Sequence, residues 1–152
     1  MPQQIEATAT SFAAPEVIFK HLCVVEAWGE WGRFLRRARR ERPGDEHPNG
    51  VGAVRLLPPR REEVVVYDPP RHYGYVVLAG PPPRGYRVDV TLEACGTDTL
   101  IRWRGAFDPG LPGSGTVTAA MLRRRLAAYA RRVARHSERC EPGCPARLPC
   151  PL

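Results

Sequence analysis

The stretch Tyr86-Arg87-Val88-Asp89-Val90-Thr91-Leu92-Glu93 alternates with period two, placing Val88, Val90 and Leu92 on one face and Arg87, Asp89 and Thr91 on the other. Gly96-Thr97-Asp98 follows with hairpin-turn chemistry. Thr99–Phe107 then alternates again, with Ile101, Trp103 and Phe107 on one side and Arg102 and Arg104 on the other. Two alternating runs joined by a glycine turn predict an antiparallel hairpin with one dry and one wet face.

The same grammar extends toward the N-terminus. Val51–Leu57, Glu62–Tyr67 and Tyr73–Ala79 are short runs closed by Pro58-Pro59, by Asp68-Pro69-Pro70 and by Gly80-Pro81-Pro82-Pro83. Further back, Arg42–Gly52 carries Pro43, Gly44, Pro48, Asn49 and Gly50 and reads as loop. Residues 4–11 alternate weakly and predict a first strand. Ala14-Pro15-Glu16-Val17 opens a helix, because proline suits the first turn and Glu16 suits the positive end of the dipole. Gly29 and Gly32 end it, and a second short helix is expected over about 31–39, carrying Phe34 and Leu35.

Toward the C-terminus the period changes. Beyond the loop Asp108–Gly115, Val117, Met121, Leu122, Leu126, Tyr129, Ala130 and Val133 recur at three- and four-residue steps, with Arg123, Arg124, Arg131 and Arg132 opposite them. A helix over about 115–137 would be roughly 33 Å long, enough to cross a small sheet. The expected fold is α+β: a curved antiparallel sheet of about six or seven strands wrapped around a long C-terminal helix, with two short helices after the first strand. Residues 1–138 form this domain. Residues 139–152, rich in cysteine and proline, read as a mobile tail without regular structure.

A chain of 152 residues can bury a core without disulfides or metals. No apolar run approaches the length of a membrane span, and the first ten residues do not resemble a secretory signal, so a cytoplasmic location is expected. The net charge of +7 is almost all arginine, with Lys20 the one lysine, a bias that GC-rich codon usage explains without a nucleic-acid partner. Two clusters stand out: Arg36, Arg37, Arg39, Arg40 and Arg42, and then Arg123, Arg124, Arg125, Arg131, Arg132 and Arg135. Such surfaces steer anions. Cys23 and Cys95 read as small buried hydrophobes, and the odd total of five cysteines argues against a disulfide framework.

Several motifs together resemble the START-like helix-grip superfamily (SRPBCC), which includes lipid-transfer domains, the birch-pollen allergen and a bacterial polyketide cyclase/dehydrase-like branch. They are Ala14–Val17 with Trp28 and Trp31, Gly50-Val51-Gly52-Ala53-Val54-Arg55, Glu62-Glu63-Val64, Tyr67–Tyr75, Thr99–Trp103 and Phe107-Asp108-Pro109. The likeness spans about residues 5–137. It implies a pocket between the concave sheet and the long helix, holding a small hydrophobic, lipid- or polyketide-like molecule.

The lining expected from the inward faces is Trp28, Trp31, Arg55, Val64, Val66, Tyr75, Val88, Val90, Trp103, Met121 and Tyr129, although any one of these could simply pack a core. Glu62 shares the face of Val64 and Val66. If inward it is the candidate catalytic acid or base; otherwise it reaches solvent or pairs with Arg55 on the neighbouring strand. Arg55 could bind a ligand carboxylate or enolate. Arg102 and Asp89 are expected on the wet face. His21 and His72 read as isolated, and Gly50-Val51-Gly52 leads into a strand, which excludes a phosphate loop. His136, Cys140, Cys144 and Cys150 could ligate zinc in principle, but no CxxC pair is present; no metal and no cofactor are expected.

Three functions compete on these residues: binding of a hydrophobic small molecule; a cyclase, aromatase or dehydratase using Glu62 with Tyr75 or Tyr129 as hydrogen-bond donors; and an interaction protein using its arginine faces. Lysine and interleaved aromatics are scarce among those arginines, which weighs against nucleic acid. A homodimer stays open.

Overall fold

A computed structural model describes residues 2–32, 37–81 and 83–147. In chain order the elements are β1 (Gln3–Ser11), α1 (Pro15–Cys23), a 3-10 turn (Val25–Ala27), α2 (Trp28–Trp31), β2 (Arg39–Arg42), β3 (Val54–Leu57), β4 (Arg60–Asp68), β5 (His72–Ala79), β6 (Arg84–Cys95), β7 (Asp98–Asp108), α3 (Gly115–Arg139) and a 3-10 turn (Pro145–Arg147). The seven strands form one sheet in the order β1-β7-β6-β5-β4-β3-β2, and every neighbouring pair is antiparallel. The meander is continuous from β2 to β7, and β1 then returns beside β7.

The alternation in β6 and β7 sets the register. Val90 lies opposite Trp103 and Leu92 opposite Ile101, and all four are buried. Gly96 turns the hairpin at φ 64°, in the left-handed region that a side chain would resist. Across the other edge of β7, Ala7 of β1 pairs with Trp103. Helix α3 packs along β1 and β7 through Ala119, Leu122, Leu126, Tyr129, Ala130 and Val133. That stripe omits two positions expected on it: Val117 and Met121 occupy the adjacent helical row and face solvent. No helix among the described residues is long and apolar enough to cross a membrane.

Three local expectations need correction. Residues 39–42, expected as the end of a helix and the start of a loop, form strand β2, whose residues are mostly exposed. This strand ends the sheet, so it carries no apolar alternation; its charged sequence, RRER, blunts an edge that could otherwise recruit another chain. The helix expected over 31–39 falls partly on residues 33–36, so Phe34, Leu35 and Arg36 lie outside the described residues, as does Pro82. Finally, residues 140–147 fold back, with Cys140, Cys144 and Ala146 buried and the Pro145–Arg147 turn against α1 and the Val25–Ala27 turn. Cys150 and the rest of 148–152 lie outside the described residues.

Candidate functional site

Arg55 and Glu62 are direct neighbours across β3 and β4, and both point inward, each only 2% exposed. Glu62 Oε1 accepts from Arg55 Nε at 3.1 Å and from Arg55 Nη2 at 3.0 Å. Arg55 Nη1 donates to the Leu22 carbonyl at 3.0 Å and to Tyr73 Oη at 2.9 Å. The guanidinium also lies 4.5 Å from the Trp28 ring centre and 4.6 Å from that of Tyr75. Burying a charge is costly unless it is paired and hydrogen-bonded, and here both conditions hold. Burial works against the Arg55 charge, but Tyr73, Glu62 and Tyr75 outweigh it and push its pKa up. Burial likewise raises the Tyr75 phenol well above its ordinary value, against the pull of Arg55.

Glu62 is therefore a paired carboxylate, the arrangement in which it joins Arg55 across the strands. Its second oxygen, Oε2, lies 3.8 Å from Arg60 Nη1. Arg60 in turn sits over the Tyr86 ring at 5.3 Å.

Beside this pair, five aromatic rings crowd together. Trp28 meets Trp31 at 4.5 Å, Tyr129 at 5.7 Å, Trp103 at 6.1 Å and Tyr75 at 6.3 Å between centroids. The indole N–H groups of Trp28 and Trp31 donate to the Leu22 and His21 carbonyls. A cavity of about 390 Å³ opens between this cluster, the β3–β4 turn and α3. Trp28, Tyr75 and Tyr129 form its floor, Leu57, Pro58 and Pro59 one wall, and Glu62, Arg60, Arg124, Arg125, Ala128 and Arg132 the remainder. A larger concavity, about 820 Å³, lies mainly over the polar strand face around His72, Asp89, Thr91 and Arg104, where an apolar molecule would find little to bury against.

The structure thus brings Trp28, Tyr75, Tyr129 and Glu62 to one cavity, with Arg55 behind Glu62. Trp31, Val64, Val88, Val90 and Trp103 are buried in the core around it but do not line it. Two expected lining residues are elsewhere. Met121 is 60% exposed on α3. Val66 is displaced by an irregularity in β4: Val64 pairs with Tyr75 but Val66 pairs with Gly74, so one residue is inserted between them. The insertion exchanges faces, and Tyr67 rather than Val66 packs inward, edge-on to Phe19. A side chain at Gly74 would collide with Asp89 and Val66 on the outer face.

Sequence reasoning passed over Tyr73, Tyr86 and Arg60, and it took Arg124 and Arg125 as part of a surface cluster rather than as cavity residues. Tyr73 was legible, since it stands two residues before Tyr75 and shares its face. Arg60 and the α3 arginines had no local signal, because only the packing of α3 over the β3–β4 turn brings them together. Neither histidine described as isolated is so: His72 Nε2 lies 2.7 Å from Asp89 Oδ1, and the His21 ring meets His136 at 5.0 Å. As expected, Asp89 and Arg102 lie on the outer face, Arg102 beside Glu6 at 3.4 Å.

Comparison with known proteins agrees with this architecture. Residues 2–138 match the family described as polyketide cyclase / dehydrase and lipid transport. No curated protein matches the chain. Among solved structures, a START superfamily protein from Mycobacterium smegmatis has a TM-score of 0.76 at 13% identity, covering 89% of this chain and 97% of its own. A protein from Nitrosospira multiformis has a TM-score of 0.68 at 17% identity, covering 90% of this chain and 100% of its own. The Aha1 dimer from Colwellia psychrerythraea has a TM-score of 0.64 at 17% identity, covering 90% and 96%. At these identities the likeness is one of fold.

Proposed function

The chain belongs to the polyketide cyclase/dehydrase and lipid transport family, and from that premise we propose that it binds a small hydrophobic molecule bearing an acidic group in the cavity beneath α3. The observation that carries this reading is the division of the cavity into an aromatic floor, Trp28, Tyr75 and Tyr129, and a cationic mouth, Arg60, Arg124 and Arg125. Apolar area removed from water supplies affinity, at about 25 cal/mol per Å². The mouth supplies orientation, because a guanidinium matches a carboxylate, enolate or phosphate in both charge and geometry.

Native mass spectrometry of the purified protein, with denaturing extraction of whatever accompanies it, would identify the chemical class. Quenching of the tryptophan fluorescence by a long-chain fatty acid and by its methyl ester then separates floor from mouth. The double variant Arg124→Ala, Arg125→Ala should weaken the acid by roughly 5- to 10-fold and leave the ester within about 2-fold. Equal loss for both, or no binding of either, contradicts the reading.

One observation favours turnover as a second reading: Glu62 lines the cavity, so its carboxylate is within reach of a bound substrate. A cyclisation could gain much of its rate from positioning alone. Under this reading Glu62→Gln, assayed where the variant remains folded, retains binding and loses turnover; retained turnover would remove Glu62 from the chemistry.

A further inference from the structure

Away from the cavity, at the C-terminal end of α3, four side chains from three parts of the chain converge. His21 comes from α1, His136 from the last turn of α3, and Cys140 and Cys144 from the segment that folds back after it. Their ligand atoms all lie within 4.8 Å of one another. His21, Cys140 and Cys144 are buried, and His136 is partly so. We propose that these four residues form a tetrahedral zinc site that pins the C-terminal segment to α1.

The geometry is already near that of a metal site. With Zn–N near 2.0–2.1 Å and Zn–S near 2.3 Å, a tetrahedron has nitrogen–sulfur edges of about 3.6 Å. Cys144 Sγ stands 3.5 Å from His136 Nε2 and 3.7 Å from His21 Nε2. The longest separation, at most 4.8 Å, needs to contract by no more than about 1.5 Å, a side-chain adjustment.

The surrounding groups suit ligation as well. His21 Nδ1 donates to the Val17 carbonyl at 2.8 Å, which fixes the tautomer and leaves the Nε2 lone pair aimed at the cluster. Arg147 Nε donates to Cys140 Sγ at 2.9 Å, so the sulfur is already held by a donor from the folded-back segment. Binding would release the two thiol protons, and two thiolates with two neutral imidazoles would leave the Zn²⁺ site without net charge. A shallow surface cavity bounded by Glu30, His136, Cys140 and Cys144 gives a metal access from solvent. Two sulfurs and two nitrogens in a tetrahedron select zinc over the oxygen-seeking cations. With every position filled from the protein, the site is structural.

The test is metal analysis of the full chain purified without chelator, with cobalt titration of the reduced, metal-stripped protein. About one zinc per chain is expected, with cobalt giving thiolate charge-transfer absorption and the strong visible bands of a tetrahedral ion. Cys144→Ser and His21→Gln should each reduce zinc content at least about 10-fold. Cys95→Ser and Cys150→Ser should retain it. Should those two cluster variants fail to fold, cobalt binding by the wild-type protein still decides. The proposal is overturned by a reduced wild-type chain that takes up neither zinc nor cobalt at micromolar concentration. It is equally overturned by a Cys140–Cys144 disulfide in the native protein, or by loss of metal in Cys150→Ser.

Discussion

Two charged constellations occupy opposite faces of the same sheet. Inside, Arg55 is packed among Trp28, Tyr73 and Tyr75 and paired with Glu62, which lines the cavity. Outside, Asp89 takes Arg87 Nε at 3.0 Å and His72 Nε2 at 2.7 Å at a partly exposed position. The residue types and distances are alike, and the difference is the solvent. Outside, water can replace either partner, so the pairing contributes little. Inside, nothing can, so Arg55 is fixed in place by the cost of leaving it unpaired. A site that needs rigid polar groups in an apolar cavity is better built from the second kind.

The strongest way to break this comparison is to remove one inner partner. Glu62→Leu should cost about 3–5 kcal/mol in urea denaturation, because the Arg55 charge stays behind without its counter-ion. Arg55→Met together with Glu62→Leu should recover most of that loss, since neither charge then remains. If the double variant is as unstable as Glu62→Leu alone, burial of charge is not what fixes the pair. Next in size, Tyr73→Phe removes a single acceptor from Arg55 Nη1, which keeps the Leu22 carbonyl. About 1.5–3 kcal/mol is expected for a hydrogen bond to a charged group, measured the same way.

How far the two faces could be read from the sequence follows the same logic. Strands β4 to β7 were legible because burial on one side imposes alternation, and α3 because its stripe repeats at helical spacing. Strand β2 was not, since an edge strand that faces water need not alternate. That Glu62 and Val64 share a face could be read, but the insertion that turns Val66 outward could not, because one extra residue leaves no compositional mark. Met121 was misassigned for a different reason: a helical apolar stripe has two flanks, and only packing chooses which is covered. The inward direction of Arg55 is fixed by its pairing with Glu62 across β3 and β4. The meeting of His21 with His136, Cys140 and Cys144 is tertiary: the sequence grouped the last three with Cys150 at a spacing that matches no standard finger, and nothing in it tied them to α1.

The smallest effect belongs to the outer face and sharpens the comparison through pH. Partial burial works to raise the Asp89 pKa, but hydrogen bonds from Arg87 and His72 outweigh it, and the net direction is down. A carboxylate with a lowered folded pKa contributes stability that is fully present above its unfolded value. That contribution is lost as pH falls through the folded value, because the unfolded chain takes up the proton first. Asp89→Asn should therefore cost under about 1 kcal/mol at pH 7, and the gap to wild type should close as the pH falls below the ordinary aspartate range. Thermal unfolding of both proteins from pH 7 to pH 3 measures it. A gap that stays constant would mean that the carboxylate acts through packing against Gly74 rather than through charge. A gap as large as that of Glu62→Leu would mean that the outer face is no more forgiving than the inner one, and the distinction between them would fail.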